Sequence, residues 1–440
     1  MRRLLAIAFI WIGCTLAWVI LGATLVSRTN DVGSSLDGQV HALFGPPGRQ
    51  APPVGSYELK EIVKETVTTS QNGALPVQQV VEREKLVEHP LTLDSSAIEV
   101  EFDLQHRKKG LMWFPTYGVH FEGHYDFKNP SNDVQKTRLR FPLARGTASR
   151  EEGMQASSAR LDDFRITDAA GHPVEYQVEG AAAVWETDFE PQARKHFNVT
   201  YRTRGTSNWH YLLTEGNGEV KNFDLKMKTS FANVDFPIGT MSPTEHSVSN
   251  GHWQGHWKYT SLISGAPIGI EMPQLLNPGP LASKVTFFAP LSLLFFFFVV
   301  AILAIVQKRE MHPMHYLLLG CSFFAFHLLF AYLVDRVELV PSFIIASIVS
   351  LFLVVSYARL FVGWRFALRE MGLSQVIYLV LFSDTFFWEG FTGLAVTIGA
   401  IVTLFVVMQI TGRVNWNETF RRPSPPALGP KAQATSVSGS

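Results

Sequence analysis

Five ionisable side chains stand inside or beside long apolar runs: His312, His315, His327, Asp384 and Glu389. Ionisable groups at membrane depth are expensive and mark ligand or proton pathways. His327 sits in the middle of the apolar run Tyr316–Val334. A proton relay there needs a carboxylate at similar depth, and the sequence offers none. The plain alternative is a neutral imidazole bonded to a neighbouring helix. His312 and His315 flank Pro313 at the start of the same run. Proline costs little in a first helical turn, where its missing N–H has no intrahelical partner. The two histidines read either as interfacial residues at a helix start or as a cytoplasmic-face site for a partner or an anionic headgroup. Asp384 and Glu389 lie around the turn before the last apolar run and read as interfacial groups. With His327, Asp384 is also a polar element that a ligand-handling helix bundle would use.

Other constellations are thinner. His120 and His124 share one face of a strand-like stretch, and His252 and His256 repeat the spacing, with His246 nearby. A structural zinc site needs three or four ligands in closed geometry. The chain has 2 cysteines, Cys14 and Cys321, both inside apolar runs, and no His-Glu-x-x-His run. These histidines therefore read as surface or turn residues. A membrane hydrolase would have to be built from Ser322 or Ser350 with His327, and no Gly-x-Ser-x-Gly frame supports it. There is no phosphate-binding Gly-x-x-x-x-Gly-Lys-Ser/Thr loop. No inverted repeat of broken helices is visible. We assign no catalytic residue, no cofactor and no metal.

The elements that position these groups follow from hydropathy. Of 440 residues only 17% are charged, against about 25% in ordinary soluble proteins. The deficit lies after residue 284. Leu4–Val26 is apolar throughout and follows Arg2 and Arg3. A span needs about 20 residues, more than the 7–15 of a cleaved signal core. It reads as a signal anchor. Val285–Val306, Tyr316–Val334, Pro341–Val362 and Phe391–Ile410 are further spans. Leu373–Phe387 is shorter and slightly polar; it spans if it begins near Phe366, and is otherwise re-entrant. Counting it gives six spans.

Positive charge sets the orientation. With an inside N-terminus the inner loops carry Lys308 and Arg309, then Arg365 and Arg369, then Arg413, Arg421 and Arg422. The outer short loops hold Arg336 in one and no Lys or Arg in 383–390. Both termini are thus expected on the cytoplasmic side of the membrane, the inner membrane if the cell is Gram-negative, and the Pro-, Ala- and Ser-rich tail is expected to be disordered.

Residues 27–282 then face the periplasm. Ile98, Val100, Phe102 and Leu104 alternate with polar residues, as do Phe197, Val199 and Tyr201, and Phe223, Leu225 and Met227. That is the period of half-buried strands. Turns at Asn129-Pro130, 170–173 and 215–218 separate them and suggest sandwich-like packing. Gly45–Pro53 reads as a linker, Tyr57–Glu65 as a short helix, and Asn277–Pro280 as a hinge. The expected fold class is α+β. It comprises an anchor at 1–26, an all-β sandwich-like periplasmic domain at 27–282, a five-helix transmembrane bundle at 283–412 and a tail at 413–440. A seam between two β lobes would fall near 205–218. The zero net charge and the lack of a basic stripe exclude nucleic acid as a partner. The expected partners are the lipid bilayer and envelope proteins.

The run His-Pro-Met-His-Tyr-Leu-Leu-Leu-Gly at 312–320 resembles the corresponding stretch of the CreD inner-membrane proteins. The likeness continues through 323–333, through 342–347, and to Arg413-Val414-Asn415-Trp416. Two stretches depart from that family's pattern, the turn at 383–390 and the start of the second span at 287–291, and the β region diverges most. The resemblance implies a distant member: one anchor, a large periplasmic domain, a set of C-terminal spans, no catalytic activity, and a role in envelope integrity and colicin tolerance.

Overall fold

The structure is a computed structural model describing residues 2–69, 77–143, 145–146, 160–213, 218–309, 311–388 and 390–412. The chain divides into two compact units, one of Met1–Thr29 with Pro278–Ser440 and one of Asn30–Asn277.

The second unit is mainly β. Its strands are β1 (Gly48–Gln50), β2 (Val54–Thr69), β3 (Val77–Lys109), β4 (Met112–Lys128), β5 (Gln135–Pro142), β6 (Arg145–Gly146), β7 (Leu161–Asp168) and β8 (Gln177–Glu179). They continue as β9 (Ala182–Phe189), β10 (Arg194–Thr206), β11 (Asn208–Tyr211), β12 (Gly218–Thr229), β13 (Glu245–Ser249), β14 (His252–Ser264) and β15 (Ile268–Glu271). Eleven strands form one large curled sheet, ordered β13-β14-β12-β3-β2-β5-β9-β8, with β4, β10 and β7 branching from β3. β15-β11-β1-β6 form a second, four-stranded sheet.

The curl originates in β3. Its first half pairs with β2 up to Leu91, and from Thr92 it pairs with β4. β12 joins in parallel over residues 96–102, and a register shift falls between Leu93 and Ser95. Such an irregularity bends a strand and re-aims its side chains. The alternation seen in the sequence does the rest: Ile98, Val100, Phe102, Phe121, Val199, Tyr201, Phe223 and Leu225 are buried in one continuous core. Trp209, Tyr211, Ile268 and Ile270 of the small sheet belong to the same core. Gly205 is required where it stands, because a Cβ there would lie 2.5 Å from the Tyr117 hydroxyl.

Tyr57–Glu65, expected as a helix, lies inside β2. Its Lys/Glu-rich composition suits either state, and pairing with residues 81–89 across the hairpin decides for strand. Within the expected linker, Gly48–Gln50 pairs in parallel with Trp209–Tyr211. The turn expected at 215–218 lies mostly outside the described residues.

The first unit is helical: α1 (Arg2–Phe44), α2 (Pro278–Val306), α3 (Pro313–Leu333), α4 (Leu339–Val362), α5 (Trp364–Phe387) and α6 (Thr392–Thr411). The first helix runs past Val26 to Phe44, beyond the apolar run, and its last part belongs to the β unit. Each of the six contains a stretch long and apolar enough to cross a membrane. α5 alternates α-helical turns with two π-helical stretches, Ala367–Gly372 and Val376–Leu381. Large aromatic residues fill the helical core, among them Trp18, Phe296, Phe323, Phe326 and Phe330.

Candidate functional site

Pro313 occupies the first position of α3, and the His312 side chain caps the helix by accepting from the Met314 N–H at 3.2 Å. One turn on, His315 Nδ1 meets the Tyr357 hydroxyl of α4 at 2.8 Å. The His315 ring stacks on Phe361 at 3.9 Å and 4°. Both histidines thus have structural partners at one end of the α3–α4 pair.

His327 is buried, with 1% exposure. Its Nδ1 lies 3.0 Å from the Phe323 carbonyl of its own helix, a contact that requires Nδ1 to be the protonated nitrogen. Trp18 and Phe326 enclose the ring edge-on at 5.6 and 4.9 Å. The Trp18 indole N–H, also buried, has no hydrogen-bond partner among the described residues. Asp384 is half-buried at the end of α5, with no hydrogen bond or ion pair to another described residue. Glu389 lies outside the described residues.

Among the described residues the helices do not assemble a nucleophile with a base. Ser322 Oγ donates to the Leu318 carbonyl, and Ser350 Oγ donates to the Ser322 carbonyl at 2.8 Å. Neither serine bonds to His327. What they assemble is a polar crossing. Gln375 of α5 is fully buried and donates from Nε2 to Ser350 Oγ at 2.8 Å, linking α5, α4 and α3. Its Oε1 is buried with no partner among the described residues. Ser292 Oγ of α2 donates to the Tyr378 carbonyl, and Tyr378 Oη meets Thr403 Oγ1 of α6 at 2.8 Å. Gln375 lies between the two π-helical stretches, a form that recurs as single turns at functional sites. Sequence reading passed over Gln375 because a lone amide has no motif. The only signal was the low hydropathy of its segment.

At one end of the helices Arg28 pairs with Asp335 at 2.7 Å, donates to the Ala331 carbonyl at 3.0 Å and lies over the Tyr332 ring. At the other end Gln307 Nε2 donates to Glu370 Oε1 at 3.1 Å.

In the β unit the histidines stay apart from one another in the pairs the sequence suggested. His252 Nδ1 faces the Thr229 carbonyl at 3.1 Å, and His256 Nε2 faces Asp224 Oδ1 at 2.9 Å. His120 is exposed. His124 meets Asn198 and His196 instead, 74 and 72 residues on. Among the described residues no group of three or more His, Cys, Asp or Glu is placed to hold a metal ion. Burial pushes the hydroxyls of Tyr117, Tyr125, Tyr201 and Tyr211 up from the usual tyrosine value. They serve the core as neutral hydrogen-bonding groups: Tyr117 Oη donates to the Asn208 carbonyl at 2.6 Å and Tyr201 Oη to Gln50 Oε1 at 2.7 Å.

Residues 280–417 match the family model described as inner membrane protein CreD. Over that stretch the chain is CreD-like. The CreD-like region contains α3 to α6 whole and α2 from residue 280 on, with His312, His315, His327, Ser350, Gln375 and Asp384, so every polar link described between those helices lies within it. The β unit lies outside it. No curated protein matches the chain. Among solved structures, a Legionella pneumophila protein provisionally named as nutrient binding aligns at 12% identity. That alignment covers 63% of this chain and 84% of the other, with a TM-score of 0.35, too low to bear on fold or function.

Proposed function

We propose that the protein is a non-catalytic, multi-pass inner-membrane protein that holds its β unit in the periplasm for contact with envelope proteins. The match of residues 280–417 to the CreD family carries this reading. The Ser322, Ser350 and His327 side chains, each turned to a backbone carbonyl rather than to one another, favour a role without catalysis. In this reading 1–26 anchors the chain, 27–282 is a sandwich-like outer domain, 283–412 is a five-helix bundle, and 413–440 is a cytoplasmic tail. The bias of Lys308, Arg309, Arg365 and Arg369 over Arg336 supports that orientation. The role is maintenance of envelope integrity, including colicin tolerance. Deleting the gene should raise sensitivity to detergent and change colicin killing. Site-specific crosslinking from the β unit of the full-length chain in membranes should trap an envelope protein. Unchanged sensitivity together with no crosslinked product would end this reading.

One observation favours a second reading, a sensor or transporter with a ligand site in the helices: Gln375 Oε1, in a π-helical span, has no partner among the described residues. There, His327→Leu and Gln375→Leu would each abolish function while leaving the amount of folded protein unchanged. Retained function in both variants would make the two side chains packing elements.

A further inference from the structure

β4 and β10 set four polar side chains into one block. Asp126 lies opposite His196, and His124 lies opposite Asn198. His196 Nδ1 is 2.7 Å from Asp126 Oδ1, and its Nε2 is 2.6 Å from the Asn198 carboxamide oxygen. The same oxygen is 2.5 Å from His124 Nδ1. The two imidazoles stack at 5.7 Å with their planes 19° apart. Beyond them, His124 Nε2 is 3.4 Å from Glu122 Oε1, and Ser95 Oγ donates to Asp126 Oδ2 at 2.5 Å.

The proton count on this block has two solutions. An ionised carboxylate and a carboxamide oxygen only accept hydrogen bonds. With Asn198 oriented oxygen-first, His196 must therefore carry protons on both nitrogens, and His124 must carry one on Nδ1. If His196 is neutral, its one proton stays on Nδ1 toward Asp126 and Nε2 is bare. The carboxamide must then turn over, because only its NH2 can donate to Nε2. That NH2 has two hydrogens, and the second points at His124 Nδ1, which must also be bare. The His124 proton then sits on Nε2, toward Glu122. The turn exchanges an oxygen for a nitrogen of nearly equal size and needs no repacking.

We propose that Asn198 is a proton-operated toggle joining two histidines. One solvent proton binds His196 Nε2, the carboxamide turns, and His124 gives its Nε2 proton to solvent and takes one at Nδ1. The His196–Asp126 bond between the strands, accepted by a carboxylate in both states, then becomes an ion pair, and the His196–Asn198 bond within β10 becomes charge-assisted, the stronger kind.

The surroundings suit this. The facing charged groups are Glu122 and Asp126 on β4, Arg194 and Lys195 on β10, Asp94 at the bend of β3 and Glu99 beyond it, Arg165 and Asp168 on β7, and Glu186 on β9. Across β3 from His124, Asp224 of β12 is engaged by His256 of β14. Arg194 is paired with Asp94 at 2.8 Å. Burial works against the Asp126 carboxylate, but hydrogen bonds from Ser95 and His196 and the charges of His196 and Arg194 hold it below the usual aspartate value. It remains an obligate acceptor in both states of the block. Solvent reaches the block through a cleft of about 500 Å³ lined by Asp126, Asp168, Glu186, Arg194 and His196.

The test is nitrogen-15 NMR of histidine ring nitrogens in the full-length protein in nanodiscs, followed against pH. The wild type should show His124 changing its protonated nitrogen at the same midpoint at which His196 gains its proton. In His196→Phe the His124 change at that midpoint should disappear. In Asn198→Leu the two rings should titrate independently. Asn198→Asp supplies an acceptor in either orientation and should raise both midpoints by about one pH unit or more. Coincident titration that survives in Asn198→Leu would overturn the proposal, as would a His124 response unchanged in His196→Phe.

Discussion

Gln375 has one amide end bonded and the other without a partner among the described residues. Exchanging its oxygen and nitrogen does not help, since Ser350 can satisfy only one end and the orphan would become an NH2. Leaving a buried polar group unmade costs more than deleting both partners. Ser350→Ala strips the bonded end as well, and should lower stability in detergent by about 1 kcal/mol. Gln375→Leu removes both the bond and the orphan, and should change stability less. Denaturant titrations of the two variants and the double variant would check the order; a larger loss in Gln375→Leu would mean that the bare oxygen is satisfied in solution. At this scale the sequence was uneven. His327 stood out because a charge-capable side chain in an apolar run is conspicuous. Gln375 did not, because an amide breaks hydropathy little. The His124–Asn198 and Asp126–His196 contacts join residues 74 and 70 positions apart, a distance over which spacing says nothing about neighbours.

Between residue and molecule, the hairpin of β2 and β3 is the least supported element. β5 covers β2 only from Val54 to Tyr57, and β4 and β12 meet β3 only from Thr92 and Ser96 onward. Residues 58–69 and 77–88 therefore pair with each other alone among the described strands. Ile62, Val80 and Leu86 are 66, 59 and 55% exposed on it. A two-stranded ribbon is marginal in water without a third strand or a packed face. Exposed cross-strand pairs such as Lys64–Glu82 at 3.3 Å add little. Amides of residues 58–66 and 82–88 should exchange with deuterium far faster than those of 119–127, whose strand is flanked on both sides. Equal protection would mean that another surface covers the ribbon. The same isolation explains the helix expected at Tyr57–Glu65. Its charges do not alternate cleanly with apolar residues because the core reaches only Tyr57 and Leu59 and nothing sits beneath the rest, so the period-2 signal that exposed β3, β10 and β12 is missing here. The spans were legible for the opposite reason: an apolar run of about 20 residues in a helix has few other places to go.

For the whole molecule the decisive property is which ends of the helices share a side. Arg28, past the apolar run of α1, pairs with Asp335, past the end of α3. Gln307, past the end of α2, bonds Glu370 near the start of α5. His315, at the start of α3, meets Tyr357 near the end of α4. Every one of these contacts joins ends that six successive crossings bring to the same side. A re-entrant α5 would break that parity only for α6 and the tail, so the tail is the place to look. The test is single-cysteine accessibility in intact cells, in a background lacking Cys14 and Cys321. Glu58, Asp335 and Gly390, all exposed, should react with a membrane-impermeant maleimide, and Arg309, Gly363 and Ser436 should react only after permeabilisation. Reaction of Ser436 from outside with Gly390 protected would leave five crossings and set the tail arginines Arg413, Arg421 and Arg422 on the outer face, against the charge bias of every other loop. Reaction of Arg309 and Gly363 from outside would invert the whole chain and place the β unit in the cytoplasm, where no periplasmic partner could reach it.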